Sequence, residues 1–296
     1  MLARLRRFSS EVGSLAALVG VAALNATKRS TGPAIDSRLA GKRVLLLGNG
    51  PSLTHDLTAI RRTDYDAVVG VNYFAATDWY QTMKPTHYFI QDDYWFEAGL
   101  GNTQKVENTL DALSYKTDWP LILYVPAPQL NRMVRFFSDE GCRVETRGFD
   151  GGRLISSSIG DATHDYTSVR WLMFRLWQRR LAYPPLSGIV STALFELVRA
   201  HPSRIDLVGV DMTMGSDLSL DQHGRIQFTP THFYGQSATP EPTRTWRAST
   251  AKAYAWLSDK FYVFELMSGY AEVEGVSVHN LTRMSLLDSF PRTPVE

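Results

Sequence analysis

The sequence predicts an α/β fold: a Rossmann-like, mostly parallel sheet wound with helices, plus a lid-like excursion. Three observations carry this. Short continuous apolar runs recur along the chain, as in strands buried on both faces. Segments of helical period stand between later runs, and polar amides and acids recur where the runs end.

Taken in order, the first forty residues differ from the rest. Arg4, Arg6 and Arg7 precede an apolar run over 12–26, broken by Ser14 and Asn25 and followed by Lys28, Arg29 and a polar stretch to about Asp36. A basic start and an apolar run suit a secretory signal cleaved after 24–26, a helix lying on an anionic membrane surface, or a helix packed on the domain. The run is shorter than the roughly 20 residues of a spanning helix. Residues 1–40 are therefore read as a segment in peripheral membrane contact or simply packed, and 41–296 as one domain.

Residues 43–48 (RVLLLG) form the first buried strand, and 67–71, 87–90 and 120–125 (PLILYV) read alike. A weaker strand follows at 142–145. Helical period dominates over 166–181 and 188–200, then comes a strand at 205–210, a long amphipathic helix over 247–267 and a last short strand at 276–278. Trp171, Phe174 and Trp177 are assigned to the core face of their helix. The Pro-rich, helix-poor stretch 215–242 is too long for a plain connector, so a lid is placed at about 213–245.

Composition excludes several function classes. With 296 residues the chain suits one large domain or two small ones. Lys plus Arg is 31 against 30 acids, a net charge of +1 that leaves no basic surplus for a nucleic-acid binder. The lone Cys142 excludes an intramolecular disulfide framework and a Cys-rich zinc site, and suits a reducing compartment.

The chemistry clusters where strands end: Asn49, Asn72, Gln91-Asp92-Asp93, Asp211 and His279-Asn280. In an open parallel sheet that edge is where ligands bind, although Asn and Asp also favour turns there. Gly48-Asn49-Gly50-Pro51-Ser52-Leu53 is the most specific segment. Its glycines would let backbone amides approach a phosphate at a helix N-terminus. It is neither the dinucleotide fingerprint, since Leu53 stands where the third glycine belongs, nor a Walker loop. Ser187-Gly188 opens another helix, as an N-cap or as a ligand contact. His232 lies between aromatics in the candidate lid, where a neutral imidazole suits a general base. His223 reads as surface. Asp64 and Asp66 lie at the opposite sheet edge, and Asp92-Asp93 lack a third metal ligand.

GNGPSL after the first strand, Asn72, Ser187-Gly188, Gly209-Val210-Asp211 and His232-Phe233-Tyr234-Gly235 together resemble the bacterial sialyltransferases of glycosyltransferase family 42, over about 42–289. Asn280 and Ser285-Leu286-Leu287 resemble that family's C-terminal segment. The resemblance implies an inverting, metal-independent transfer of sialic acid from CMP-sialic acid to a glycan hydroxyl, with no cofactor. Carried over by position, Asn49, Gly50 and Ser52 would contact the CMP phosphate and ribose. Asn72 and Gln91 would hold the donor, Ser187 and Gly188 its carboxylate, and His232 would be the catalytic base, with Asp211, Thr213 and Tyr234 completing the substrate contacts. The partners implied are a CMP-sugar donor and a glycan or glycolipid acceptor, as in lipooligosaccharide biosynthesis. A cytosolic donor pool favours a cytoplasmic protein, at the inner face of the membrane if attached, with homo-oligomerisation open.

Two departures widen the donor choice to Kdo or another ulosonic acid. Met212 and Thr213 stand where the family places a tyrosine, and Pro184-Pro185 replace an arginine ahead of Ser-Gly, although Arg179 and Arg180 are near. The alternatives are a pterin diphosphokinase-like or flagellin-glycosylation-associated protein using a nucleoside triphosphate and Mg²⁺ on Asp92, Asp93 or Asp211, or a non-catalytic homologue that only binds nucleotide or glycan.

Overall fold

In a computed structural model of the chain, the described residues are 2–27, 35–97, 103–139, 141–150, 169–184, 186, 188–224, 226–228, 244–245 and 249–294. The apolar runs become strands β1 (Arg43–Leu47), β2 (Ala67–Val71), β3 (His87–Phe89), β4 (Leu121–Pro126), β5 (Val144–Phe149) and β6 (Arg204–Val208). Three short strands, β7 (Leu218–Leu220), β8 (Ile226–Phe228) and β9 (Arg244–Thr245), form a small antiparallel sheet within the excursion, and β10 (Ser277–Asn280) follows. The main sheet has seven strands in the order β10-β6-β1-β2-β3-β4-β5, every pair parallel.

That order reverses between β1 and β6, and the reversal sorts the helices. Helices α1 (Leu2–Thr27), α2 (Leu53–Leu57), α3 (Trp79–Met83), α4 (Thr103–Tyr115), α5 (Leu130–Phe136), α6 (Arg170–Gln178), α7 (Ile189–Val198) and α8 (Thr250–Val273) cover the two faces. Side chains alternate along a strand, so β1 sends Leu45 and Leu47 to one face, where α2 to α5 contribute Leu53, Tyr80, Leu113 and Met133. Val44 and Leu46 go to the other, where α1, α6, α7 and α8 contribute Leu18, Trp177, Leu194 and Tyr270. Right-handed crossovers progressing in opposite directions from β1 place helices on opposite faces. The all-parallel sheet is thereby buried on both sides, which is why its strands read as unbroken apolar runs.

Several expectations need adjusting. The weak strand at 142–145 starts later and runs on to Phe149, because it pairs along the whole of β4. Helices α4 and α5 were not legible as periodic segments. Trp171 is exposed, whereas Phe174 and Trp177 are buried as expected, so only two of that aromatic trio face the core. The N-terminal run is one long helix, packed through Leu18 and the buried Ser14 and Asn25, with Asn25 Nδ2 donating to the Leu181 carbonyl at 3.1 Å. No helix among the described residues is long and apolar enough to cross a membrane.

A buried polar tie secures the amino edge of the sheet. His87 on β3 places Nε2 3.4 Å from Asp36 Oδ2 and Nδ1 2.9 Å from Thr86 Oγ1. Burial raises the Asp36 carboxyl, but the Arg38 guanidinium, at 2.9 Å from each oxygen, outweighs it and holds the group down at about 2. For His87 burial dominates over the Asp36 charge and lowers the imidazole to about 4, from 6.5. The unfolded chain therefore takes up a proton first, and stability present above pH 6.5 is lost as pH falls toward 4. At about 1.4 kcal/mol per unit, urea unfolding at pH 7 and pH 5 should show the parent losing about 2 kcal/mol more than His87→Gln. Equal losses would mean that His87 is not the titrating group.

Candidate functional site

The strand order reverses between β1 and β6, and their carboxyl ends mark the position where an open α/β sheet forms its ligand crevice. Two loops meet there. Gly48 N donates to Val208 O and Gly50 N to Gly209 O, each at 2.7 Å, continuing the ladder past the strands. Approach this close leaves no room for side chains. A Cβ on Gly48 would fall on the Gly209 carbonyl, and one on Gly50 would fall on the Asp211 carboxylate. Gly209 itself has φ +67°, in the left-handed region, with Leu53 Cβ 2.7 Å from where its own Cβ would stand. The glycines of this motif thus serve the contact between loops.

Asp211 occupies the place expected for a phosphate. Its Oδ1 accepts from Ser52 N at 3.0 Å and its Oδ2 from Ser52 Oγ at 3.0 Å. Helix α2, which Ser52 precedes, has only five residues. In this state the Ser52 amide is therefore already satisfied by a carboxylate of the chain itself. Asp56, four residues on and fully buried, brings Oδ2 to 2.8 Å from the same Ser52 hydroxyl. One hydroxyl proton faces two carboxylates, so both contacts are satisfied together only when one carboxyl keeps its own proton. Burial, opposed by the two Ser52 hydrogen bonds, raises Asp211 from 3.8 to about 6.

The side-chain amides that follow β1 and β2 have unmet oxygens. Asn49 Oδ1 and Asn72 Oδ1 are both buried and have no hydrogen-bond partner among the described residues. A buried carbonyl without a donor costs about 1–3 kcal/mol, so such atoms call for an explanation. Asn72 is held at φ +46°, its own carbonyl accepting from the Tyr88 hydroxyl at 2.6 Å. Met212, directly after Asp211, sits at φ +55°, a left-handed conformation uncommon for an unbranched apolar residue.

Gln91, following β3, is tied to α7, with its Oε1 accepting from the Thr192 hydroxyl. The Thr192 backbone N and the Ser191 hydroxyl donate to the Gly188 carbonyl, at 3.1 and 2.8 Å, so Gln91 and Gly188 come together at the first turn of α7. Thr213 starts the turn Met214–Asp217, its carbonyl accepting from Ser216 N and Oγ. Ser187, His232 and Tyr234 lie outside the described residues. Asp92 is raised by burial, Tyr94 pulling the other way, and no group of three or more metal-ligating side chains converges among the described residues. His223 is exposed, and Asp64 and Asp66 pair with Arg61, Lys42 and the Arg43 amide at the far edge.

Sequence reasoning missed Asp56. Its spacing of four from Ser52 was readable, but an acid inside a helix reads as surface charge. It also left the support for Asp211 unassigned. Val210 N donates to Thr282 Oγ1 at 3.0 Å, Ser285 Oγ donates to Val210 O at 2.7 Å, and Leu286 N donates to Asp211 O at 2.8 Å. Asn280, buried, shapes that turn by donating to Ser285 Oγ and Leu287 O and accepting from Thr282 N. Its role here is scaffolding.

No family model and no curated protein matches the chain. Among solved structures, sialyltransferase CstII from Campylobacter jejuni with cytidine-5'-monophosphate aligns at 15% identity over 87% of this chain and 86% of that one, TM-score 0.43. CstII with CMP-3FNeuAc aligns at 13% identity over 86% of each chain, TM-score 0.41. An apo alpha-2,3-sialyltransferase from the same organism aligns at 14% identity over 90% and 84%, TM-score 0.41.

Two substitutions test the geometry. Gly50→Ala must displace Asp211 or part the two loops, and should cost about 1–3 kcal/mol in urea unfolding. Asp211→Asn keeps an acceptor for Ser52 N and offers Nδ2 to the hydroxyl, whose proton then goes to Asp56. An acid raised on folding binds its proton more tightly when native, so ionising it removes stability as pH climbs from about 4 to 6. The stability of Asp211→Asn relative to the parent should therefore rise by about 2–3 kcal/mol between pH 4 and pH 7. A difference that does not change with pH would place the shared proton elsewhere.

Proposed function

We propose that this chain is an inverting, metal-independent glycosyltransferase. It moves sialic acid, or a related ulosonic acid such as Kdo, from a CMP-activated donor to a glycan hydroxyl. The observation that carries the reading is the pair of buried oxygens on Asn49 and Asn72, without hydrogen-bond partners among the described residues, at the carboxyl ends of the adjacent strands β1 and β2. Both oxygens are acceptors. They suit a ligand rich in hydroxyl and amino donors, as a nucleoside and a sugar are, better than one recognised through bare phosphate charge. Of the motifs that resemble family 42, GNGPSL and Asn72 supply these two residues.

The step assigned to the chain is a single displacement. His232 takes the proton of the acceptor hydroxyl as its oxygen forms a bond to the donor's anomeric carbon. The bond from that carbon to the CMP phosphate oxygen breaks, and CMP leaves with the electron pair. The donor is already activated, so the protein's part is orientation, proton removal and stabilisation of the leaving phosphate. Asn49 and Asn72 would accept from nucleoside and sugar donors, Gln91 and Gly188 would position the donor with Ser187, and Thr213 and Tyr234 would face the departing group. Magnesium-dependent triphosphate chemistry has less support, because both Asp211 oxygens are engaged by Ser52.

Thermal unfolding with CMP, ATP or ATP plus Mg²⁺, with and without EDTA, tests the reading. CMP at ~100 times its dissociation constant should stabilise by about 2.7 kcal/mol, unaffected by EDTA. His232→Ala should lower transfer from CMP-sialic acid or CMP-Kdo by about 10²–10⁴ while leaving the CMP shift intact. Stabilisation by ATP only with Mg²⁺ would replace this reading with the diphosphokinase one.

A further inference from the structure

Helix α1 is built inside out. Between Val12 and Ala26 its only polar side chains are Ser14 and Asn25, and these are the ones turned inward, 0% and 1% exposed. Leu18 joins them in the core. The opposite side is apolar: Val12, Leu15 and Val19 are 51%, 42% and 57% exposed, and Ala16, Ala23 and Ala26 are exposed around them. At 100° per residue these six positions fall within an arc of about 100° that holds no polar or charged side chain. Ordinary surface helices show the reverse pattern, with polar residues outward, so a continuous outward apolar stripe marks an interaction surface.

Charge identifies the occupant. Around this stripe the first 35 residues carry Arg4, Arg6, Arg7, Lys28 and Arg29 against the single acid Glu11. Two copies paired through this face would bring together two segments of the same strongly positive sequence, so like charges would meet. Three half-exposed aliphatic side chains and three alanines also fall far short of the ~800 Å² per partner of a stable protein interface. An anionic lipid surface has neither objection, since it takes shallow apolar side chains and attracts flanking cations.

We infer that α1 is a peripheral membrane anchor. It lies in the plane of an anionic bilayer surface, docked on the protein through Ser14, Leu18 and Asn25 and on lipid through Val12, Leu15 and Val19. It does not span, since no helix among the described residues is long and apolar enough. The inference is independent of the transfer reaction and is tested without it.

The test is co-sedimentation of the full chain with vesicles of phosphatidylglycerol and phosphatidylcholine in equal parts, against vesicles of phosphatidylcholine alone. The parent should bind the anionic vesicles and lose most of that binding in high salt. Leu15→Glu with Val19→Glu should weaken binding at least about tenfold, with thermal unfolding unchanged because both positions are exposed. Should that variant unfold, Arg4→Gln, Arg6→Gln and Arg7→Gln together provide a second arm, expected to weaken binding by about tenfold or more. No binding by the parent, equal binding to both vesicle types, or binding unaltered in these variants would overturn the inference. So would a concentration-dependent dimer of the parent that Leu15→Glu with Val19→Glu dissolves, which would assign the stripe to a second copy.

Discussion

The double hydrogen bond from Ser52 to Asp211 is the contact on which the crevice depends. It joins the loop after β1 to the loop after β6 at the one place where the strand order reverses and the sheet would otherwise open. Everything near it is arranged around that closeness. Gly48 and Gly50 lack side chains because the partner backbone and carboxylate occupy the space, and Gly209 takes a left-handed turn against Leu53. Behind Asp211, the turn after β10 braces the loop through Thr282, Ser285 and Leu286, themselves held by Asn280. The rigidity that results holds Asn49 where its amide oxygen meets no donor among the described residues.

This arrangement has an electrostatic consequence. Asp56 and Asp211, both buried, share the single Ser52 hydroxyl beneath the loop, so one of the two carboxyls keeps its own proton when both contacts are made. A carboxylate already at the Ser52 amide disfavours a bare anion at that point. A phosphate would have to bind elsewhere on the edge, or displace Asp211 from the Ser52 amide.

The strands were legible because an all-parallel sheet imposes an unmistakable condition: both faces are covered, so both side-chain sets are apolar. The runs at 43–48, 67–71, 87–90, 120–125 and 205–210 each became a strand within a residue or two. Helices α4 and α5 were not legible. Thr103–Tyr115 has its apolar positions diluted by polar ones, and Leu130–Phe136 is too short to show a period. Trp171 misled for a related reason: on a helix whose apolar residues run on consecutively, composition alone does not say which faces inward. Asn49, Asn72, Gln91 and Asp211 were legible as strand-end residues, since side chains there are projected to a common edge. That Asp211 would be spent partly on Ser52, and that Asp56 would join it, was not legible. Those contacts cross 159 residues of chain in one case and look like ordinary helix chemistry in the other.

By itself the sequence determined which segments are strands of the main sheet, that they run parallel with covered faces, and which polar residues stand at their carboxyl ends, but not the three short antiparallel strands of the excursion. These are local properties, set by side-chain alternation and by the chemistry of turns. It also determined the basic, apolar character of the first helix. Only the tertiary structure decided the strand order, and with it the place where two loops meet. It alone decided which face of α1 is spent on the core, and that Ser52 would stand between two carboxylates. The reason is that each of these depends on distances between segments far apart in the chain, which no local pattern encodes.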